Sequence, residues 1–209
     1  MSSHEEKCSP AGVREKGVAD HKAAMRRRVL AARAAMSADD RAVAGRMIRD
    51  HILSLPQVAA AGTIAAYYSI GTEPGSRSLV YALWKRGSYV VLPLLLPDGE
   101  LDWASYEGPD SLVPGPRGLL QPAEPPRGPT TVSRADVVLV PAVAVDRSGY
   151  RLGRGGGSYD RALAQVGKQV PAIALLYDDE LVDEVPVEEH DQAVRAVARP
   201  GHGVMWLPE

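Results

Sequence analysis

The chain has 209 residues with a formal net charge of −2; 45% of the residues are hydrophobic and 24% are charged. This is the composition of an ordinary globular protein, and it gives no basic surface of the kind that binds nucleic acid. The single cysteine, Cys8, excludes an internal disulfide, and the longest apolar stretch, 89–96, is too short to span a bilayer. Because no apolar segment follows the charged N terminus, we expect a cytoplasmic protein.

The N-terminal quarter of the chain predicts a tail and two helices. Residues 1–20 have mixed charge and little apolar content, which predicts a flexible tail, and residues 21–209 are expected to form a single domain. A first helix is predicted over 21–36. A second should begin after Ser37, because Asp40 follows three residues later in the pattern of a capping box. One apolar face of this helix combines Val43, Met47, Ile48, Ile52 and Leu55.

Strands and helices alternate through the rest of the chain. We predict strands over 63–69, 89–96, 100–106, 136–145, 172–177 and 193–198. Asp98 and Gly99 form a hairpin turn signal, Ser76 should cap a helix that Gly87 ends, and a further helix is predicted over 159–166. Residues 108–133, rich in Pro and Gly, predict a long loop. This alternation predicts an α/β fold with three layers, α/β/α, around a mostly parallel central sheet.

Residues 146–161 are rich in Gly and Arg. They follow the predicted strand 136–145 and lead into the predicted helix 159–166. Their glycines allow the backbone to approach a ligand and to turn N–H groups toward it. Arg151 and Arg154 add guanidinium groups suited to phosphate oxygens, and the N terminus of the next helix favours an anion. Because ligands of parallel sheets bind beyond the carboxyl ends of the strands, the stretch predicts a phosphate site.

Two familiar phosphate loops do not match this stretch. A Walker loop requires Gly-Lys-Ser/Thr, which is absent, and the dinucleotide fingerprint would require a glycine at Ser158. For the glycine run alone, a flexible surface turn is the alternative. The two arginines, with a strand before them and a helix after them, favour phosphate binding.

Residues 151–160, Arg-Leu-Gly-Arg-Gly-Gly-Gly-Ser-Tyr-Asp, resemble the signature of the 5-formyltetrahydrofolate cyclo-ligase family, Arg-Leu-Gly-Arg-Gly-x-Gly-Tyr-Tyr-Asp, with Ser158 in place of the first Tyr. Further landmarks similar to those of the family occur in order between residues 21 and 198: Lys22 and Arg26, Tyr68 and Glu73, Gln121-Pro122, and Pro186 before His190-Asp191. The chain departs from the family at Glu180, where a Gln is commoner, and at Arg195, where an Asp is commoner.

The resemblance implies an enzyme that uses ATP and Mg²⁺ to close 5-formyltetrahydrofolate to 5,10-methenyltetrahydrofolate. It implies that Arg154 and Arg151 are catalytic and that Asp160 and Asp191 bind Mg²⁺. The implied ATP site consists of Lys22, Arg26, Arg151, Leu152, Gly153, Arg154, Gly155, Gly156, Gly157, Ser158 and Tyr159. The implied folate site consists of Tyr68, Glu73, Arg154, Gly155, Gly156, Gly157 and Ser158.

Each candidate also has an ordinary structural interpretation. Without the resemblance, Lys22 and Arg26 would be a solvated helix face, since they lie one turn apart. Glu73 would be an exposed loop acid, Asp160 a charge at a helix start, and Asp191 a surface acid.

Two other functions stay open at this point. One is a non-catalytic nucleotide- or folate-binding protein on the same fold, which Ser158 would permit. The other is a sugar-phosphate enzyme that uses the loop for its phosphate. In each case we expect a monomer that binds small molecules and neither nucleic acid nor membrane.

Overall fold

In the computed structural model the described residues are 10–208, with side chains described from residue 17 onward. The α-helices are α1 (Pro10–Ala35), α2 (Ala38–Leu53), α3 (Pro56–Ala60), α4 (Arg77–Lys85) and α5 (Ser158–Leu163). The strands are β1 (Thr63–Ala65), β2 (Tyr89–Leu95), β3 (Leu101–Ser105), β4 (Leu112–Pro114), β5 (Leu120–Pro122), β6 (Val137–Pro141), β7 (Ala144–Asp146), β8 (Arg151–Leu152), β9 (Ala172–Leu175), β10 (Leu181–Val182), β11 (Ala196–Arg199) and β12 (Gly203–Trp206).

A seven-stranded sheet in the order β12-β11-β9-β6-β1-β2-β3 forms the centre of the molecule. Its five inner strands are parallel, and β3 and β12 run antiparallel at the two edges. A small sheet, β10-β7-β8, and the hairpin β4-β5 lie outside it. The predicted mostly parallel sheet is therefore confirmed, and so is the hairpin at Asp98-Gly99, which joins β2 to β3.

Helices cover both faces of the central sheet, which confirms the three layers. On one face α2, α3 and α4 contribute buried side chains such as Ile52, Val58 and Leu83. On the other face Leu163 of α5 packs beside Val132, which belongs to a 3-10 helix over Pro129–Arg134. None of the described helices is both long and apolar enough to cross a membrane.

Helix α1 begins earlier than predicted. It starts at Pro10, so residues 10–20, which the sequence placed in a flexible tail, are helical; residues 1–9 of that tail lie outside the described residues. Proline is tolerated in the first turn of a helix, and the Ala, Arg, Glu and Lys of this segment favour helix despite its low apolar content.

Helix α2 confirms the predicted cap, because the Ser37 side chain accepts a hydrogen bond from the Asp40 N–H. Its apolar face is only half buried: Ile48 and Ile52 are fully buried, whereas Val43 and Met47 are 45% and 40% exposed. A period of 3.6 residues shows which side chains share a face, but not how much of that face the rest of the fold covers.

Three other local predictions need correction. Ser76 stands at the N-cap position of α4, as predicted, but its side chain makes no capping hydrogen bond; its hydroxyl donates to the Tyr67 carbonyl and accepts from the Ser69 N–H. The predicted loop 108–133 contains the hairpin β4-β5. Its prolines lie at strand ends, where a missing backbone N–H interrupts no internal hydrogen bond of the sheet. The predicted strand 136–145 divides after Pro141, and its second part joins the small sheet as β7.

Candidate active site

A cavity of about 340 Å³ opens beyond the carboxyl ends of β1, β2 and β6. The rest of its wall comes from helix α1, the hairpin β4-β5, the Gly-rich loop (residues 153–157) and the segment 188–191. This is the edge at which ligands of parallel sheets bind. Every predicted site residue lines this one cavity: Lys22, Arg26, Tyr68, Glu73, Arg151, Leu152, Gly153, Arg154, Gly155, Gly156, Gly157, Ser158, Tyr159, Asp160 and Asp191.

Arg151 is a buried cation whose hydrogen-bonding capacity is not used. Its side chain is 3% exposed, and its Nη2 atom lies 2.9 Å from Oδ1 of Asp160. That ion pair lacks the angular geometry of a hydrogen bond, so Nε and Nη2 are both buried without a hydrogen-bond partner among the described residues. Burial lowers the pKa of Arg151, with Asp160 acting against that shift. Because unsatisfied buried donors are costly, this guanidinium is suited to receiving an anion from the cavity.

Arg26 and Arg154 present further donors to the same cavity. Arg26 Nε donates to the Gly153 carbonyl at 2.8 Å, and Arg154 Nε donates to Glu73 Oε1 at 3.1 Å. Within residues 17–208, the terminal amino groups of these two arginines make no hydrogen bond. The Arg154 side chain is 50% exposed, so its fork is accessible to a ligand.

The Gly-rich loop requires glycine at Gly155 and Gly157, where φ is 103° and 65°. The N–H groups of residues 155–157 donate to none of the described residues. Ser158 Oγ instead fixes the loop by donating to the Gly99 carbonyl at 2.6 Å, to which Arg161 also donates. The loop therefore offers free backbone donors on a fixed support, as an anion site requires.

Lys22 lines the cavity and contacts two carboxylates of its C-terminal part. Its ammonium donates to Glu188 Oε2 at 2.5 Å and to Asp191 Oδ2 at 2.7 Å. Burial lowers the pKa of Lys22, but the hydrogen bonds to Asp191 and Glu188 outweigh burial, so the pKa lies above its ordinary value. The amine is thus charged at neutral pH, and it joins α1 to the C-terminal part of the site.

Sequence reasoning missed a buried ion pair beside the cavity, between Arg33 and Glu180. Arg33 is 1% exposed; its Nε and Nη2 donate to the two Glu180 oxygens at 2.6 and 2.8 Å. Nη2 also donates to the Ala142 carbonyl at 2.7 Å. The spacing of Lys22, Arg26 and Arg33, four and then seven residues, puts all three on one helix face and was a usable signal.

A second wall of the cavity is apolar. It combines Pro93, Leu95, Leu101, Leu119 and Leu120, from β2, β3 and the hairpin β4-β5. Tyr68 lines the cavity as well. A wall of this kind suits a flat organic ring, whereas the arginines and the Gly-rich loop suit an anion.

The predicted metal ligands have free oxygens but do not form one cluster. Asp191 belongs to a group with Glu188 and His190 whose ligand atoms lie within 4.8 Å of one another, and Asp160 lies outside it. Asp160 Oδ1 accepts from the Gln192 N–H at 3.1 Å and pairs with Arg151. In the described part of the chain, Oδ2 of Asp160 and Oδ1 of Asp191 accept no hydrogen bond, so each carboxylate retains an oxygen for a cation.

Comparison with known proteins decides the family. A sequence model of the 5-formyltetrahydrofolate cyclo-ligase family matches residues 18–200. The chain belongs to the 5-formyltetrahydrofolate cyclo-ligase family. It is 44% identical over 150 residues to the 5-formyltetrahydrofolate cyclo-ligase of Mycolicibacterium smegmatis, covering 69% of this chain and 77% of that protein. It is 34% identical over 178 residues to the cyclo-ligase of Escherichia coli K12, covering 83% and 97%.

The fold of this cyclo-ligase family member is also that of a solved relative. It resembles the structure of a 5,10-methenyltetrahydrofolate synthetase from Aquifex aeolicus with a TM-score of 0.77 and 26% identity, over 90% of this chain and 93% of that one. The predicted family membership and α/β fold are thus confirmed. The roles assigned to single residues of the cyclo-ligase site stay predictions.

Proposed function

We propose that the protein is a 5-formyltetrahydrofolate cyclo-ligase that converts 5-formyltetrahydrofolate and ATP to 5,10-methenyltetrahydrofolate, ADP and phosphate. One observation carries the proposal beyond family membership. Three guanidinium groups with unused N–H donors, those of Arg26, Arg151 and Arg154, line the same cavity as the free N–H groups of the Gly-rich loop. This donor set fits a polyphosphate, and the apolar wall beside it fits a pterin ring.

The chemical difficulty of the reaction is its leaving group. The formyl oxygen must depart while the second folate nitrogen attacks the same carbon, and an oxygen bound only to carbon leaves poorly. Transfer of the γ-phosphoryl group to that oxygen lets it depart as phosphate. A cavity that holds both substrates can place the oxygen in line with the γ-phosphorus.

The arginines would stabilise the charge that spreads over the moving phosphoryl group. Arg151 is held by its burial and by Asp160, and Arg154 by its bond to Glu73. Donors fixed before the reaction need no reorganisation during it, which is the main source of electrostatic catalysis. Glu73, which the resemblance assigns to the folate site, would also orient Arg154.

Mg²⁺ is proposed to bind at Asp160 and Asp191, because each has an oxygen that accepts no hydrogen bond from residues 17–208. Magnesium takes one or two carboxylates together with phosphate oxygens and water, and it would supply neutralising charge beside the ATP phosphates. Asp160 pairs with Arg151, so this acid would connect the metal site to the anion site. The monomeric state and the cytoplasmic location expected from the sequence are proposals of the same kind.

Turnover tests the proposed function directly. Purified protein mixed with 5-formyltetrahydrofolate, ATP and Mg²⁺ is expected to form ADP and 5,10-methenyltetrahydrofolate in equal amounts. Absorbance follows the methenyl product, and a coupled assay follows ADP. A known cyclo-ligase in a parallel tube serves as the control. Ligand binding without either product would instead support the non-catalytic binding protein.

Asp160→Asn is expected to weaken the effect of Mg²⁺ on ATP binding, while folate binding changes little. The amide keeps the size of the side chain and an acceptor for the Gln192 N–H, but it removes the charge that favours the cation. Titration calorimetry of ATP with and without Mg²⁺ measures the effect without turnover. Glu189→Gln, which removes an exposed neighbouring charge, is the matched control. An unchanged Mg²⁺ effect in Asp160→Asn would leave Asp160 as a partner of Arg151 only.

A further inference from the structure

The hairpin β4-β5 and its tip form part of the cavity wall. Pro114 pairs with Leu120, so residues 115–119 form the tip. The tip is closed by a hydrogen bond from the Gly115 N–H to the Leu119 carbonyl, at 2.8 Å, and by one from the Leu119 N–H to the Pro116 carbonyl, at 3.1 Å. Arg117, Leu119 and Leu120 all line the cavity. The tip is therefore an ordered part of the site.

Arg117 has an unusual backbone. Its φ and ψ are 57° and 26°, and it is the only residue other than glycine with a positive φ among the described residues. A side chain disfavours this left-handed conformation, and glycine would adopt it freely. The next residue is Gly118, itself at φ 76°, so the tip already uses glycine where the chain turns. A strained arginine in a cavity wall points to a function for its side chain.

Arg117 differs from the other cations of the cavity because its side chain contacts no carboxylate or carbonyl of the described residues. Each of the others contacts a carboxylate or a carbonyl of the protein: Lys22, Arg26, Arg33, Arg151 and Arg154. Arg117 is exposed and makes no hydrogen bond or ion pair with any residue the structure describes. An exposed guanidinium on the rim of a binding cavity is suited to meeting an anionic group of the ligand.

The surroundings of Arg117 indicate which part of a ligand it meets. The hairpin packs beside β2 and contributes Leu119 and Leu120 to the apolar wall, together with Pro93 and Leu101. The Gly-rich loop and the three site arginines come from other elements. A folate has a ring system that suits an apolar wall and, at the far end from the pterin, a glutamate with two carboxylates. The apolar wall would hold the ring system, and the Arg117 guanidinium beside that wall would meet the glutamate carboxylates.

We propose that Arg117 binds the glutamate carboxylates of the folate substrate and so selects folates that carry them. The proposal rests on the proposed function, because it assigns one contact within the same site. A guanidinium fork binds a carboxylate through two parallel N–H donors, which gives direction as well as charge. Arg117 would act on substrate affinity rather than on the reacting groups.

The test compares 5-formyltetrahydrofolate with the primary amide of 5-formyltetrahydropteroic acid, which keeps the amide group but lacks both glutamate carboxylates. Arg117→Ala is expected to raise KM for the first on the order of ten-fold, as loss of a charge-assisted contact does, with kcat and the KM for ATP unchanged. The KM for the primary amide should be the same in the wild type and in Arg117→Ala. An equal rise for both substrates, or no rise for either, would overturn the proposal.

Two control variants separate charge from backbone strain. Arg117→Gly relieves the left-handed backbone and should match or exceed the wild type in thermal stability, yet raise KM as alanine does. Arg134→Ala removes an exposed arginine that does not line the cavity and should leave both KM values unchanged. A glycine variant with the wild-type KM would show that the side chain is not used.

Equilibrium titration keeps this proposal distinct from the proposed function. Each protein is titrated with 5-formyltetrahydrofolate alone, which requires no turnover. Absence of turnover by the wild-type protein would overturn the proposed function. Equal affinity of the wild type and Arg117→Ala for this ligand would overturn the role of Arg117.

Discussion

Arg154→Ala is expected to lower kcat on the order of 100-fold or more and to leave the protein folded. If Arg154 stabilises the moving phosphoryl group, its removal takes away a fixed donor of the kind whose loss costs several kcal/mol of barrier. The structural cost should be small. The Arg154 side chain is half exposed, and among the described residues it forms an ion pair with Glu73. Glu73 is 9% exposed but keeps the hydrogen bond from the Ile70 N–H, so we expect loss of its Arg154 partner to cost about 1–2 kcal/mol.

Three measurements complete that experiment. Thermal unfolding checks that Arg154→Ala remains folded, and single-turnover kinetics separate chemistry from product release. Arg154→Lys should recover only part of the rate, because an ammonium cannot reproduce the guanidinium fork. A folded Arg154→Ala protein with near-normal turnover would refute both the role of Arg154 and the proposed phosphoryl contact of the loop.

Glu180→Ala is expected to destabilise the protein by about 3 kcal/mol or more. The substitution leaves the Arg33 guanidinium, 1% exposed, without the carboxylate that accepts two of its hydrogen bonds. Removing one partner of a buried ion pair typically costs about 3–5 kcal/mol, since the remaining charge stays out of water. The Tyr177 N–H, which donates to Glu180 at 2.8 Å, would lose its acceptor as well.

Equilibrium urea denaturation measures this loss, and Glu180→Gln is the matched variant. Glutamine keeps the size of the side chain and one oxygen acceptor. Glu180→Gln should therefore lower the free energy of unfolding clearly less than Glu180→Ala does. Because α1 also carries Lys22 and Arg26, the alanine variant should bind ATP more weakly at temperatures where it is still folded. A Glu180→Ala protein within about 1 kcal/mol of the wild type would show that Arg33 gains water or another partner.

The parts of the fold that depend on nearby residues could be predicted from the sequence. The apolar runs of β2 and β9, the turn at Asp98-Gly99 and the cap at Ser37 were predicted because each is set by residues within a few positions. The Gly-rich loop was predicted for the same reason. Its positive φ angles and its place after a strand follow from the local order of residues.

The pairings inside the site could not be predicted, because they join distant parts of the chain. Glu73 lies 81 positions from Arg154, and Lys22 lies 169 positions from Asp191. Each of these four residues was a candidate for ligand binding, yet their contacts with one another depend on how the elements pack. The short strands β4, β5 and β12 were missed for a related reason, since each depends on its pairing partner.

The contact of Lys22 with Asp191 sets a condition on biosynthesis. The ribosome makes α1 well before the acidic segment 188–191, because the two are about 150 residues apart along the chain. Until that segment leaves the exit tunnel, Lys22 has neither of its two carboxylates. Closing contacts between residues so far apart is slow, because loop entropy is lost before the contact is gained. We therefore expect the proposed nucleotide site to form only after segment 188–191 has emerged, so that a nascent chain lacking this segment would bind ATP weakly.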